Sequence, residues 1–188
     1  MSDTTTATTI PGYIAGTWTI DAVHSEVGFS IRHMMVSKVR GKFTQFAGEL
    51  VTGASPLESS VSATIELSSI DTGNTDRDNH VRSADFFNVE SHTQMTYTST
   101  GVRASGSDFI LDGELTLKGV TKSVPLTLEL GGFGPDAYGG TRAGFTATGE
   151  ISRSDFGVDF NAALEAGGVI LGDKVSISME IEAVLNAG

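Results

Sequence analysis

The sequence predicts an all-β protein, a closed antiparallel β-barrel of about eight strands with one short helix, on three observations. Apolar and polar residues alternate with a period of two over many segments, which marks strands with one face in a core and the other in water. Only one stretch carries helix signals. The composition, with 23 Gly, 10 Phe and 4 Pro among 188 residues, favours sheet and turns over helices or an extended stalk.

Residues 1–12, MSDTTTATTIPG, are Thr-rich without period and read as a flexible N-terminal tail. Residues 13–188 then form a single domain, since the chain shows no linker or internal repeat and its length suits one core. Val27, Phe29, Ile31 and His33 fall on one side of an extended strand, while Ser30 and Arg32 take the other. The doubled Met34 and Met35 that follow mark a bend, or an adaptable wall for a flexible ligand.

Further strands alternate in the same way. Their inward rows are Val61, Ala63, Ile65 and Leu67; Leu111, Gly113, Leu115 and Leu117; Val124, Leu126, Leu128 and Leu130; Phe145, Ala147, Gly149 and Ile151; and Val175, Ile177, Met179, Ile181 and Ala183. Thr64, Glu66, Asp112, Glu114, Thr127 and Glu129 supply the wet face. Between these rows, Thr75 with Asp78 resembles a capping box and Val81 with Ala84 gives apolar i, i+3 spacing, so a helix is expected over about Thr75–Asp85.

One short helix cannot cover an open sheet, so the apolar faces must meet one another in a barrel or a two-sheet sandwich. Ala63, Gly113, Ala147 and Gly149 at strand centres leave room inside, which suits a barrel of about eight strands holding one small ligand. In the competing arrangement Phe29, Phe43 and Phe145 fill those gaps, and the barrel is a self-filled structural or partner-binding module.

The net charge of −11 and a pI near 4.6 argue against nucleic acid, whose phosphates require a basic surface. The same balance disfavours general adsorption to anionic lipid, and no run approaches the ~18 apolar residues of a membrane helix. The chain has no Cys, which excludes disulfides and thiolate metal sites. The amino terminus has neither Lys nor Arg nor an apolar core of the kind an export signal needs, so the expected location is cytoplasmic.

Several spaced motifs together resemble the YceI-like family. They are Asp21, His24, Val27, Phe29, Ile31, His33, Met34, Val36, Gly41 and Phe43; Ser83-Ala84-Asp85-Phe86-Phe87; Leu115 through Lys122; and Arg153, Asp155-Phe156-Gly157 and Gly172-Asp173. The resemblance spans Thr17 to about Val184. It implies a lipocalin-like barrel with an apolar interior, a short helix near the barrel mouth, and a long-chain polyisoprenoid or isoprenoid-quinone lipid as ligand, with paired subunits common. Many relatives carry an export signal, which is not expected of this amino terminus.

On that basis the expected ligand wall comprises Phe29, Ile31, His33, Met35, Phe43, Ile65 and Leu67, then Phe86 and Phe87 after the helix. It continues with Met95, Tyr97, Leu115, Leu117, Leu126, Phe145, Ile177 and Met179. His33 and Tyr97 are the polar members able to meet a carbonyl or amide. Arg32, Lys38, Arg40 and Lys42 gather four cations in a run without acid, a candidate head-group rim or the solvated face of a hairpin. The expected role is non-catalytic carriage or storage, with no cofactor and no metal. His24, His33, His80 and His92 show no metal-ligand spacing, and neither a GxSxG elbow nor a Gly-rich phosphate loop is present.

Overall fold

The computed structural model describes residues 10–34, 36–161 and 171–187. Its strand segments are β1 (Gly16–Ile20), β2 (Glu26–His33), β3 (Ser37–Phe43), β4 (Phe46–Thr52), β5 (Ser60–Glu66) and β6 (Ile70–Asp71). After the helix α1 (Thr75–Arg82) come β7 (Gln94–Ser105), β8 (Asp108–Leu117), β9 (Val120–Ser123), β10 (Leu126–Pro135), β11 (Thr141–Ser152) and β12 (Leu171–Leu185).

Twelve segments make eight strands because four strands are bent. β12 pairs along one edge with β2 from Val175 to Glu180 and with β1 from Ala183 to Leu185, so β1 and β2 are two halves of one strand. β3 and β4 follow the same logic, paired to β2 and β1 respectively. β5 pairs β4 and β6 pairs β3, while β9 and β10 divide the edge of β8. Pro125 stands at that last break, where its missing N–H interrupts the ladder.

Each strand is antiparallel to its sequence neighbours, and the β1–β12 pairing closes the ring. The result is an up-and-down barrel of eight strands without a free edge in its closed half. The inward rows expected from alternation are seen: Val27, Ile31, Ile65, Leu111, Leu115, Leu117, Leu126 and Ala147 are all buried. Trp18 and Ala183 pack at the β1 end with no exposure at all.

Three local expectations are corrected. The helix ends at Arg82, three residues short of Asp85, and its cap is Asn74, whose side chain accepts from Arg77 N at 3.0 Å. Asp78 completes no capping box; it is buried and accepts from the Thr72 backbone N–H at 3.0 Å instead. β5 stops at Glu66, and Leu67 opens a short 3-10 turn.

Residues 1–9 of the expected tail lie outside the described residues. Ile10 to Gly12 form a turn, Tyr13 N donating to Ile10 O at 3.1 Å, and Gly12 lies against Phe133, where a β-carbon would come within 2.8 Å of its carbonyl. Among the described residues, the expected tail's last positions, from Ile10, already pack on the barrel.

Candidate functional site

Eight strands whose inward rows mix large and small side chains do not fill their own interior, and the barrel encloses a cavity of about 600 Å³. That size falls within the ~300–1,000 Å³ typical of small-molecule sites. Its wall is overwhelmingly apolar.

Of the residues expected on the wall, Phe29, Ile31, His33, Phe43, Ile65, Phe86, Phe87 and Met95 all border the cavity. So do Tyr97, Leu115, Leu117, Leu126, Phe145, Ile177 and Met179. Met35 lies outside the described residues. Leu67 is a correction: the 3-10 turn rotates it off the strand's inward row into the packed core, fully buried and away from the cavity.

The cations are also placed differently from a rim. Arg32 and Lys38 face each other across the β2–β3 hairpin, Arg40 lies opposite Ser30 and Lys42 opposite Gly28. All four are exposed and none borders the cavity. The alternation that points Ile31 and Val39 inward turns these four outward.

Of the small inward residues, Ala63 and Ala147 border the cavity, whereas Gly113 and Gly149 are covered. The Tyr97 ring occupies the space over Gly113, and a β-carbon on Gly149 would meet Leu126 Cδ2 at 2.7 Å. Tyr97 donates its hydroxyl to Val124 O at 2.7 Å, so its proton is committed to the barrel and not offered to a ligand. Burial, with the nearby charge of Asp112 second, pushes its pKa up and keeps it neutral.

Aromatic clusters stand at both ends. At the α1 end, His80, Phe86 and Phe160 make a mutual triad with ring centroids 5.0 to 5.1 Å apart, and Phe43 links Phe29 at 5.7 Å to Phe87 at 6.2 Å. At the other end, Phe133 meets Tyr13 at 5.4 Å, Trp18 at 5.6 Å and Phe145 at 5.9 Å.

Polar residues line the cavity at both ends: Tyr13, Thr52, Ser59 and Ser60 near β1, and His33, Thr72, Arg77, His80 and Arg153 near α1. His80 Nε2 lies 2.8 Å from Asp85 Oδ2, and Arg77 holds Thr72 through its hydroxyl and carbonyl, each at 2.8 Å. The ring of His33 makes no hydrogen bond among the described residues. Arg153 is 7% exposed and donates to the carbonyls of Gly172, Val158 and Phe160 at 2.9, 2.9 and 3.1 Å. Desolvation depresses its pKa, yet a guanidinium starts so high that it stays charged.

Sequence reasoning missed Arg77, His80, Arg153 and Phe160 as wall residues because they reach the cavity from turns and a helix, where period-two parity gives no direction. It missed Ile10 and Tyr13 because a Thr-rich stretch without period hides them. Among the described residues, the one cluster with metal-ligand types, Asp21, His24 and Glu182, lies apart from the cavity. Arg142 Nη1 bridges the two carboxylates there, at 2.8 Å from Asp21 and 2.9 Å from Glu182.

The model of the YceI-like domain matches residues 18–183. A UPF0312 protein of Staphylococcus epidermidis is 41% identical over 164 residues, 86% of this chain and 94% of its own length. The crystal structure of a Campylobacter jejuni YCEI protein superposes with a TM-score of 0.72 at 26% identity, covering 100% of this chain and 99% of that one. A polyisoprenoid binding domain from Saccharophagus degradans shares the barrel, with a TM-score of 0.68 at 16% identity, over 90% of this chain and 98% of its own. By its sequence, and by a barrel shared with those structures, the chain belongs to the YceI-like domain family.

Proposed function

We propose that this barrel sequesters one long-chain isoprenoid lipid, an isoprenoid quinone among the candidates, for non-catalytic carriage or storage. The observation that carries the reading is the cavity itself: about 600 Å³ inside the barrel, walled almost entirely by apolar side chains. Each prenyl unit moved from water onto such a wall gains on the order of 3 kcal/mol, at about 0.8 kcal/mol per buried carbon before ordering costs. A chain of several units then binds without any hydrogen bond.

The polar residues assign an orientation. Tyr97 is committed to Val124, His80 to Asp85 and Thr52 to Ile14. The ring of His33 borders the cavity with no hydrogen bond among the described residues, which favours a head group at the α1 end. The tail fills the waist and the head sits under α1. The Saccharophagus degradans domain, whose name records polyisoprenoid binding, supports the same ligand class through a shared barrel.

Native mass spectrometry of the purified protein, followed by organic extraction, tests this directly. A co-purifying prenyl lipid, or a rise in melting temperature on adding a polyprenyl alcohol, is the expected result. Ala63 borders the cavity from the middle of β5, so Ala63→Phe fills the waist and should abolish that rise while the barrel still folds. No extractable lipid together with no thermal shift would assign the cavity no isoprenoid role.

A further inference from the structure

We infer that the β2–β3 hairpin is a docking surface for an anionic lipid bilayer. Its turn is closed by Val36 N donating to His33 O at 3.2 Å, and Met34 adopts the left-handed conformation with φ of 52°. Two apolar side chains result at the tip: Met34 is 44% exposed and Val36 82%. Neither has a core to enter.

Behind the tip stand Arg32, Lys38, Arg40 and Lys42, four of the chain's twelve Lys and Arg in a run from 32 to 42 that contains no Asp or Glu. All are exposed, and none forms an ion pair among the described residues. At about 3.3 Å per residue, Lys38 and Arg40 trail Val36 by roughly 7 and 13 Å. A tip inserted among acyl chains therefore sets its cations at the depth of the phosphates.

The neighbouring acids offset this charge only in part, since among the described residues none forms an ion pair with the four cations. Asp71, opposite Lys42, accepts from Gly73 N at 2.9 Å, and Asp173 is turned to the backbone and hydroxyl of Ser154 at 2.9 and 3.0 Å. Lys174, outward on β12, pairs with Glu150 at 3.3 Å. The net charge of −11 includes these four cations, so the rest of the molecule carries −15. Charges farther than the ~8 Å screening length at physiological salt hardly reach the hairpin, so the local island sets the interaction.

The combination selects a bilayer over the alternatives. A polyanion such as nucleic acid would satisfy the cations but leave Met34 and Val36 unused, and a second copy meeting this face would set cation against cation. An anionic membrane meets both halves, and membrane anchoring needs two such weak signals together. The inference stands on the outside of the barrel and does not depend on what fills the cavity.

Flotation of the full chain with vesicles tests it. Phosphatidylcholine vesicles containing phosphatidylglycerol should carry the protein upward, pure phosphatidylcholine vesicles should not, and added salt should release it. Lys38→Glu with Arg40→Glu should weaken binding by roughly 30-fold or more. Val36→Asp should abolish it, while the melting temperature and any thermal shift with a polyprenyl alcohol remain as in the wild type. Equal flotation on neutral vesicles, no flotation on either kind, or indifference to these substitutions would overturn the inference. So would sedimentation velocity showing a dimer that Val36→Asp dissociates, because the face would then belong to a second copy.

Discussion

The ring of Phe29 lies over Gly41, its cross-strand partner on β3, so that a β-carbon at Gly41 would stand 2.8 Å from Phe29 Cε1 and 3.0 Å from Thr72 Cγ2. The glycine is a seat for an aromatic ring, and the ring both covers the ladder and borders the cavity. Gly41→Ala should push Phe29 from that seat into the cavity and cost about 1–3 kcal/mol by overpacking. Thermal unfolding checks the cost. A polyprenyl alcohol should also bind this variant more weakly, since the ring now occupies ligand space.

A second ring and glycine are joined by a polar contact. Tyr97 covers Gly113 and donates to Val124 O at 2.7 Å within the buried wall. Tyr97→Phe keeps the ring in place and removes the proton that reaches this carbonyl, at an expected cost of about 1–2 kcal/mol. Denaturant unfolding measures it. Affinity for a polyprenyl alcohol should be unchanged, because the hydroxyl serves the barrel; a large affinity loss with little change in stability would return Tyr97 to the role of a ligand contact.

The eight-strand closure and most of the wall were legible because a strand's two-residue period assigns each side chain a face, and β2, β8, β10 and β12 keep that period over long runs. The same rule misplaced Leu67, where a 3-10 turn breaks the period after Glu66. Ala63 and Ala147 do border open space, but Gly113 and Gly149 do not, because a sequence shows which positions are small and not which neighbours lean over them, as Tyr97 does on Gly113. The polar groups near α1 were invisible for a related reason: Arg77 and His80 come from the helix and Arg153 from a 3-10 turn far along the chain, and only the closed barrel brings them to one cavity.

Thr52 joins the N-terminal segment to the barrel. Its hydroxyl donates to Ile14 O at 2.7 Å and accepts from Trp18 Nε1 at 2.8 Å and from Gly16 N at 2.9 Å. Thr52→Val preserves the shape but strands two N–H donors beside a fully buried Trp18. At about 1–3 kcal/mol for each buried donor left unmet, the loss should be among the largest of any single methyl-for-hydroxyl exchange in this chain. Thermal unfolding should show it, and proteolysis near Ile14 should accelerate as the segment loosens.

Acid stability should depend on the network around Arg142. The Arg142 guanidinium, followed by the hydrogen bond from His24, holds the Asp21 carboxyl far below the ordinary range. Backbone N–H groups of Tyr138 and Gly140 lower Asp136, the Ser154 N–H lowers Asp173, and Arg103 lowers Asp112. In every case the folded value lies below the unfolded one, about 3.9 for Asp. The unfolded chain therefore takes up protons first, so the stabilisation is fully present above about pH 4 and is lost as pH falls toward the folded values. Urea midpoints should stay level on descending to about pH 4 and then drop. Asp21→Asn should be less stable than the wild type at pH 7 and lose less on acidification, so that the two curves converge. Parallel curves would remove Asp21 from the acid response and leave it to the other three carboxylates.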